Sequence, residues 1–214
     1  GPKRLKDWVA AGGTLIGIGG AVSFLADPKV GLLAISQENL AHAGEEAKKP
    51  EGEAAKRPEA AEPRVPGKLF ATEEDYHKAI RADRELPDTV PGVLVKARLD
   101  PDHWLTAGMG ETVQALVQGR AIFSPIKLDQ GVNAAVFLGA DKLLASGYLW
   151  EENRKQLAYK PLVVAQREGR GLVIAFTADP NFRAYLDGLN VLFLNAVFRG
   201  AAHARPAASE EREP

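Results

Sequence analysis

Residues Leu172 to Phe198, LVIAFTADPNFRAYLDGLNVLFLNAVF, constrain the fold more than any other stretch of the chain. An unbroken apolar run, Leu172 to Phe176, stops at Thr177-Ala178-Asp179-Pro180. A short apolar run closed by turn residues reads as a buried strand. A helix follows from about Tyr185 to Phe198, with Leu186, Leu189, Val191, Leu192, Leu194 and Val197 on more than one face. A helix apolar on more than one face calls for burial against a sheet. This strand, sharp turn and closing helix belong to a layered α/β domain.

The remaining numbers set bounds. A chain of 214 residues is long enough for one domain with a real core, or one domain plus an unstructured segment. A net charge of −1 supplies no polybasic field for nucleic acid or an anionic membrane. The chain has no cysteine, which removes disulfides, thiolate metal sites and thiol nucleophiles together. The longest apolar run, Thr14 to Leu25, is broken by glycines and falls short of the ~20 residues of a membrane helix.

At the N-terminal end, Leu5, Trp8 and Val9 share a helical face, and Gly12-Gly13 supplies a stop. Thr14 to Ile18 predicts a buried strand. Gly19-Gly20 turns into a short helix, Ala21 to Ala26, and Val30 to Ile35 predicts another strand. This is the β-turn-α-β grammar of an open α/β sheet. The grammar stops at Gln37 to Arg64, which is rich in Ala, Glu, Lys and Pro and holds almost no large apolar residue. Such a stretch cannot bury enough surface to offset the entropy of ordering, so disorder is expected there.

Order returns at Val65. A helix N-terminus is expected at Thr72, with Glu73 to Ala82 helical. Strands are expected at Val93 to Leu99, Val113 to Val117, Ala121 to Ser124 and Ala134 to Leu138, then a helix over Glu151 to Ala158. Leu162 to Gln166 and Leu172 to Phe176 read as two strands joined through a glycine-containing turn. Ala201 to Pro214 reads as a disordered polar tail. The domain map is therefore 1–36 and 65–200 for the α/β body, 37–64 for the insertion and 201–214 for the tail. The first helix stands where a complete domain of this kind would already have built several strands. The expectation is an N-terminally incomplete domain, part of a longer protein.

Candidate chemistry is sparse. Gly19 and Gly20 lie at a strand-to-helix turn, where backbone N–H groups can face an anion; tight packing of helix on sheet is the plainer reading. Asp179 follows a buried strand and Arg183 stands close after it, at the carboxyl edge where open α/β sheets place ligands. Gly19, Gly20, Asp179 and Arg183 are therefore the candidate ligand-binding residues, set against a structural role in which Asp179 caps a turn and Arg183 pairs with a carboxylate. His42 and Glu45 match an H-x-x-E half-site for zinc, but lie in a segment without the rigid scaffold that a zinc site needs. His103 follows Asp100 and Asp102, a combination that reads as turn capping. Glu151-Glu152 opens a helix, where carboxylates favour the dipole. Ser23 is near the glycine turn without a His to pair with, and Trp104 and Trp150 read as packing under loops. No catalytic residue and no metal ligand is assigned.

Several stretches together resemble a known family. LKDWVAAGGTLIGIGGA, VPGVLVKARLDPDHWLTAGMG and SGYLWEENRKQLAYKPLVVAQREGRGLVIAFTADPNFRAYLDGLNVLFLNAVF are similar to the C-terminal region of bacterial M14-family zinc carboxypeptidase-like proteins. There, a class I glutamine amidotransferase-like, flavodoxin-like domain follows the peptidase domain. The resemblance implies an open flavodoxin-like α/β sheet flanked by helices. Catalytic members of the amidotransferase class carry a cysteine at the elbow after the first strand here, and a His-Pro-acid triplet at the end of the last. In this chain those places hold Gly19-Gly20-Ala21 and Thr177-Ala178-Asp179-Pro180. The resemblance therefore implies a non-catalytic accessory domain that braces or orients a peptidase domain of the same parent protein. Zinc would be held in that parent domain, with none in this chain, and the protein would be secreted or periplasmic. A small-molecule or glycan binding module at the strand ends is the first rival reading. A hydrolase using Ser23 or a carboxylate is the second.

Overall fold

In a computed structural model of the chain, residues 1–41, 69, 71–80, 85–184 and 187–204 are described. Among these, seven strands form one open sheet: β1 (Thr14–Ile18), β2 (Val90–Leu99), β3 (Thr112–Gly119), β4 (Gly131–Phe137), β5 (Leu144–Ser146), β6 (Pro161–Glu168) and β7 (Gly171–Phe176). Their order is β1-β7-β6-β4-β2-β3, with β5 paired to β2 on the side that β4 leaves free. The helices are α1 (Pro2–Ala10), α2 (Gly20–Ala26), α3 (Glu73–Ala79), α4 (Glu151–Leu157) and α5 (Asp187–His203). The open, helix-flanked α/β architecture expected from the sequence is the one the chain adopts. Its strand pairing is mixed: β1 runs parallel to β7, and every other pair is antiparallel.

The alternation of side chains along β7 divides the core in two. Leu172, Ile174 and Phe176 join the cluster under α5, where Leu189, Leu192 and Ala196 are buried. Val173 and Ala175 face the other way, onto Val9 of α1 and Val22 and Leu25 of α2. Both faces of β7 are therefore covered, which is why its sequence is apolar without interruption. Helix α5 buries one stripe only. Val191, Leu194, Val197 and Phe198 are exposed on its outer face, where the sequence led us to expect fuller burial.

Several expectations need correction. Val30–Ile35 forms no strand. Leu32, Leu33 and Ile35 are buried against α2 and the sheet, but their backbone partners are not a ladder. Leu32 and Leu33 donate to the carbonyl of Leu25, and Ala34 donates to Oε1 of Gln166 at 2.7 Å. Ala121–Ser124 likewise contributes a single bridge, Gln37 to Phe123, instead of a strand. That bridge also changes the body's edge. Gln37 to Ala41 is tied down, since Glu38 donates to Ile122, Leu40 to Glu85 and Ala41 to Gln156. The rest of the expected insertion, 42–64, lies outside the described residues, as does the tail from 205. Residues 201–203 belong to α5.

Other local readings hold. Thr72 and Asp75 form a reciprocal capping box at the start of α3. Glu151 opens α4 and pairs with Lys155 one turn on, at 2.6 Å. The β6–β7 hairpin is tighter than expected: Glu168 pairs with Gly171 across the two residues Gly169 and Arg170, and Gly169 has φ 60°.

Candidate functional site

At the carboxyl ends of β1 and β7 the chain forms a cleft of about 350 Å³. Each wall follows from local sequence. Gly17, in β1, lies under α2; a Cβ there would stand 2.5 Å from Cδ1 of Leu25, so the present packing of that side chain uses the space glycine leaves. The chain then turns sharply at Gly19, with φ 53° and ψ −118°, a conformation open to glycine and strained for other residues. Its N–H donates to the carbonyl of Phe176 at 2.8 Å, which ties the turn to the end of β7. A Cβ added at Gly19 or Gly20 would meet no atom within 4 Å.

Beyond β7, the Thr177 hydroxyl donates to the carbonyl of Pro161 at 2.8 Å, and Oδ1 of Asp179 accepts from the N–H of Asn181 at 2.9 Å. The turn-capping role weighed for Asp179 is thus present, and Asp179 is also one of the residues that line the cleft. Gly19, Gly20 and Asp179 are brought together. Arg183 is not among the lining residues; its guanidinium lies 5.5 Å from the ring centre of Phe182, which does line the cleft. Arg183 itself has φ 52°, an uncommon backbone for a residue with a side chain.

Sequence reasoning missed the far wall. Gln37, Gln118, Arg120 and Lys160 contribute polar side chains there. Lys160 is paired with Glu38 at 2.5 Å, and Arg120 donates through Nε and Nη2 to the Thr89 hydroxyl. No local signal marks these residues, because the cleft joins β3, the start of β6 and the segment after β1 only when the sheet assembles. Among the described residues, none that lines the cleft is Ser, His or Cys.

The other candidates separate. His42 and Glu45 lie outside the described residues. His103 caps a 3-10 turn, Trp104–Thr106, its Nδ1 accepting from the N–H of Leu105 at 3.2 Å. Asp100 Oδ1 accepts from the N–H of Asp102, so the Asp-Asp-His cluster is a capping device. His77 pairs with Glu73 at 3.7 Å on exposed α3. Ser23, on α2, does not line the cleft. Trp150 is exposed and meets Tyr148 edge-on, whereas Trp104 stacks on His203. Among the described residues no group of three His, Asp or Glu is placed to hold a metal ion, and no helix is long and apolar enough to cross a membrane.

The site is thus a cleft at strand carboxyl ends, built on a glycine turn. No protein-family model matches the chain, and no curated protein matches it. Among solved structures, a cytoplasmic protein from Salmonella typhimurium LT2 is similar at 17% identity and a TM-score of 0.39. That similarity covers 93% of this chain, which spans 60% of the Salmonella protein.

Proposed function

We propose that this chain is a non-catalytic, degenerate glutamine amidotransferase-like module. It serves as an accessory to a larger zinc carboxypeptidase-like protein, where it braces or orients the peptidase domain. The observation that carries the reading is Gly19. A strand that turns sharply into a helix with φ near +50° is the shape that presents a nucleophile at the edge of an α/β sheet. Here the apex of that turn is glycine, and among the described residues no imidazole lines the cleft around it. A nucleophile needs both the attacking atom and a base to activate it. The outer face of α5 supports the bracing half of the reading. Val191, Leu194, Val197 and Phe198 recur at helical spacing on one exposed face, and Phe198 is 77% exposed. An apolar face of this kind suits a docked neighbour.

Two measurements test this. The isolated chain, supplied with zinc and peptide substrates or with glutamine, should stay at background; turnover that is lost in His42→Ala would overturn the non-catalytic reading. The peptidase domain encoded with it should melt at a higher temperature when this chain is attached. Identical melting with and without it would remove the bracing role.

A second reading is a binding module. Gln37, Gln118, Arg120, Lys160 and Asp179 converge on one cleft of the size that small-molecule sites take. Small polar molecules and short glycans screened by thermal shift should include one whose stabilisation disappears in Asp179→Ala. Retention of the full shift in that variant would place the ligand elsewhere.

A further inference from the structure

The end of the sheet opposite the glycine cleft holds a second cavity, of about 410 Å³. Four parts of the chain meet there: the 3-10 turn after β2, the turn that enters β4, the β6–β7 end and the last turn of α5. Its floor is apolar, made by Val132, Ala165 and Leu172. Its rim carries donors. His103 already accepts at Nδ1 from the N–H of Leu105, so in the neutral ring the proton sits on Nε2. That nitrogen makes no hydrogen bond among the described residues. His203 is held at the rim by lying flat on Trp104. Arg167 leaves the exposed end of β6 and makes no ion pair among the described residues.

Charges of both signs bear on the place. Asp129 lines the cavity, and Asp100 faces His103 from the end of β2. Arg199 stands behind Trp104, its Nη1 donating to the Trp104 carbonyl at 3.1 Å, and with Arg167 it acts on His203. The acids disfavour a multiply charged anion, and a bare anion would leave the apolar floor uncovered. A guanidinium beside imidazole N–H groups matches a single carboxylate, which guanidinium binds through paired charge-assisted hydrogen bonds. An apolar body over Val132, Ala165 and Leu172 adds burial at about 25 cal/mol per Å².

The geometry points to a binding site here for a small carboxylic acid with an apolar body, its carboxylate held by Arg167 and the imidazoles of His103 and His203. The site is separate from the glycine cleft and does not depend on the function proposed for it.

Phenylacetate is a suitable probe, titrated into the full chain while the imidazole C–H signals are followed by NMR. The His103 and His203 signals should move saturably. The neutral isostere 2-phenylethanol, and inorganic phosphate, should each bind at least about tenfold more weakly. Arg167 is exposed, so Arg167→Gln should fold normally, with circular dichroism as the check, and weaken phenylacetate about tenfold. Asp129→Asn should tighten it, and Asp179→Ala in the other cleft should leave it unchanged. No saturable movement at millimolar phenylacetate, equal binding of either control, or unchanged affinity in Arg167→Gln would each overturn the site.

Discussion

The imidazole of His203 lies flat on the indole of Trp104, with ring centres 4.1 Å apart and planes 8° from parallel. The stack closes a clasp between the last turn of α5 and the 3-10 turn at Trp104–Thr106. Asn195 completes it, donating from Nδ2 to the carbonyls of Leu105 at 2.8 Å and Ala107 at 3.0 Å. Removing the stack with His203→Ala should cost about 0.5–1.5 kcal/mol. Asn195→Ala strips two half-buried carbonyls of their donor and should cost about 1–3 kcal/mol. Urea denaturation measures both, and a neutral Asn195→Ala would mean that α5 is held by its apolar stripe alone.

The same cluster sets a pH dependence. Burial lowers the pKa of His103, against the pull of Asp100, and His203 lowers it further. Burial also lowers that of His203, aided by Arg199 and Arg167. Both groups therefore bind fewer protons folded than unfolded. Their contribution to stability is complete above the unfolded value of about 6.5 and is lost as pH falls through the folded values. The urea midpoint should drop as pH falls from about 7 toward 5. His103→Asn keeps a side-chain acceptor at the cap without a group that titrates there, and should flatten part of that slope. A slope unchanged in both His103→Asn and His203→Ala would assign the acid sensitivity to other groups.

Close backbone approach gives a sharper effect. A Cβ at Gly171 would collide with the carbonyl oxygens of Val9 and Gly13, where the end of α1 crosses the start of β7. These are backbone atoms and cannot swing aside. Gly171→Ala should destabilise the chain by about 3 kcal/mol or more, at or beyond the upper end for overpacking, and lower its soluble yield. A midpoint close to the parent's would show that α1 is free to lift from the sheet.

These residues also show what the sequence carried. The Leu172–Phe176 strand was legible because burial on both faces leaves an unbroken apolar run, and the Gly19 turn because only glycine tolerates its φ. Capping by Thr72 and His103 was legible because a cap is a local event. Val30–Ile35 misled because its apolar residues are buried as expected, while the N–H groups of Leu32 and Leu33 go to the Leu25 carbonyl and that of Ala34 to the side chain of Gln166, distant in sequence, instead of to a neighbouring strand. β5 has three residues, too few to show a period. The polar wall of the cleft and the His203–Trp104 stack exist only through assembly of the sheet, so no local pattern announces them.

The empty apex at Gly19 can be tested directly by filling it. The chain has no cysteine, so Gly19→Cys would carry a single thiol. A side chain at φ 53° is strained, and the variant should lose about 1–3 kcal/mol. The Cβ itself meets no atom within 4 Å, so the fold should survive and the thiol should react with a disulfide reagent at the rate of an accessible cysteine. Slow labelling would mean that the turn does not open onto the cleft. A thiol at the N-terminus of α2 is favoured as thiolate by the helix end, but release of ammonia from glutamine also needs a base and acid to move protons. With no imidazole lining the cleft among the described residues, Gly19→Cys should release no ammonia from glutamine above background. Ammonia release by this variant would place a competent base within reach of the turn, and the non-catalytic reading of the module would fall with it.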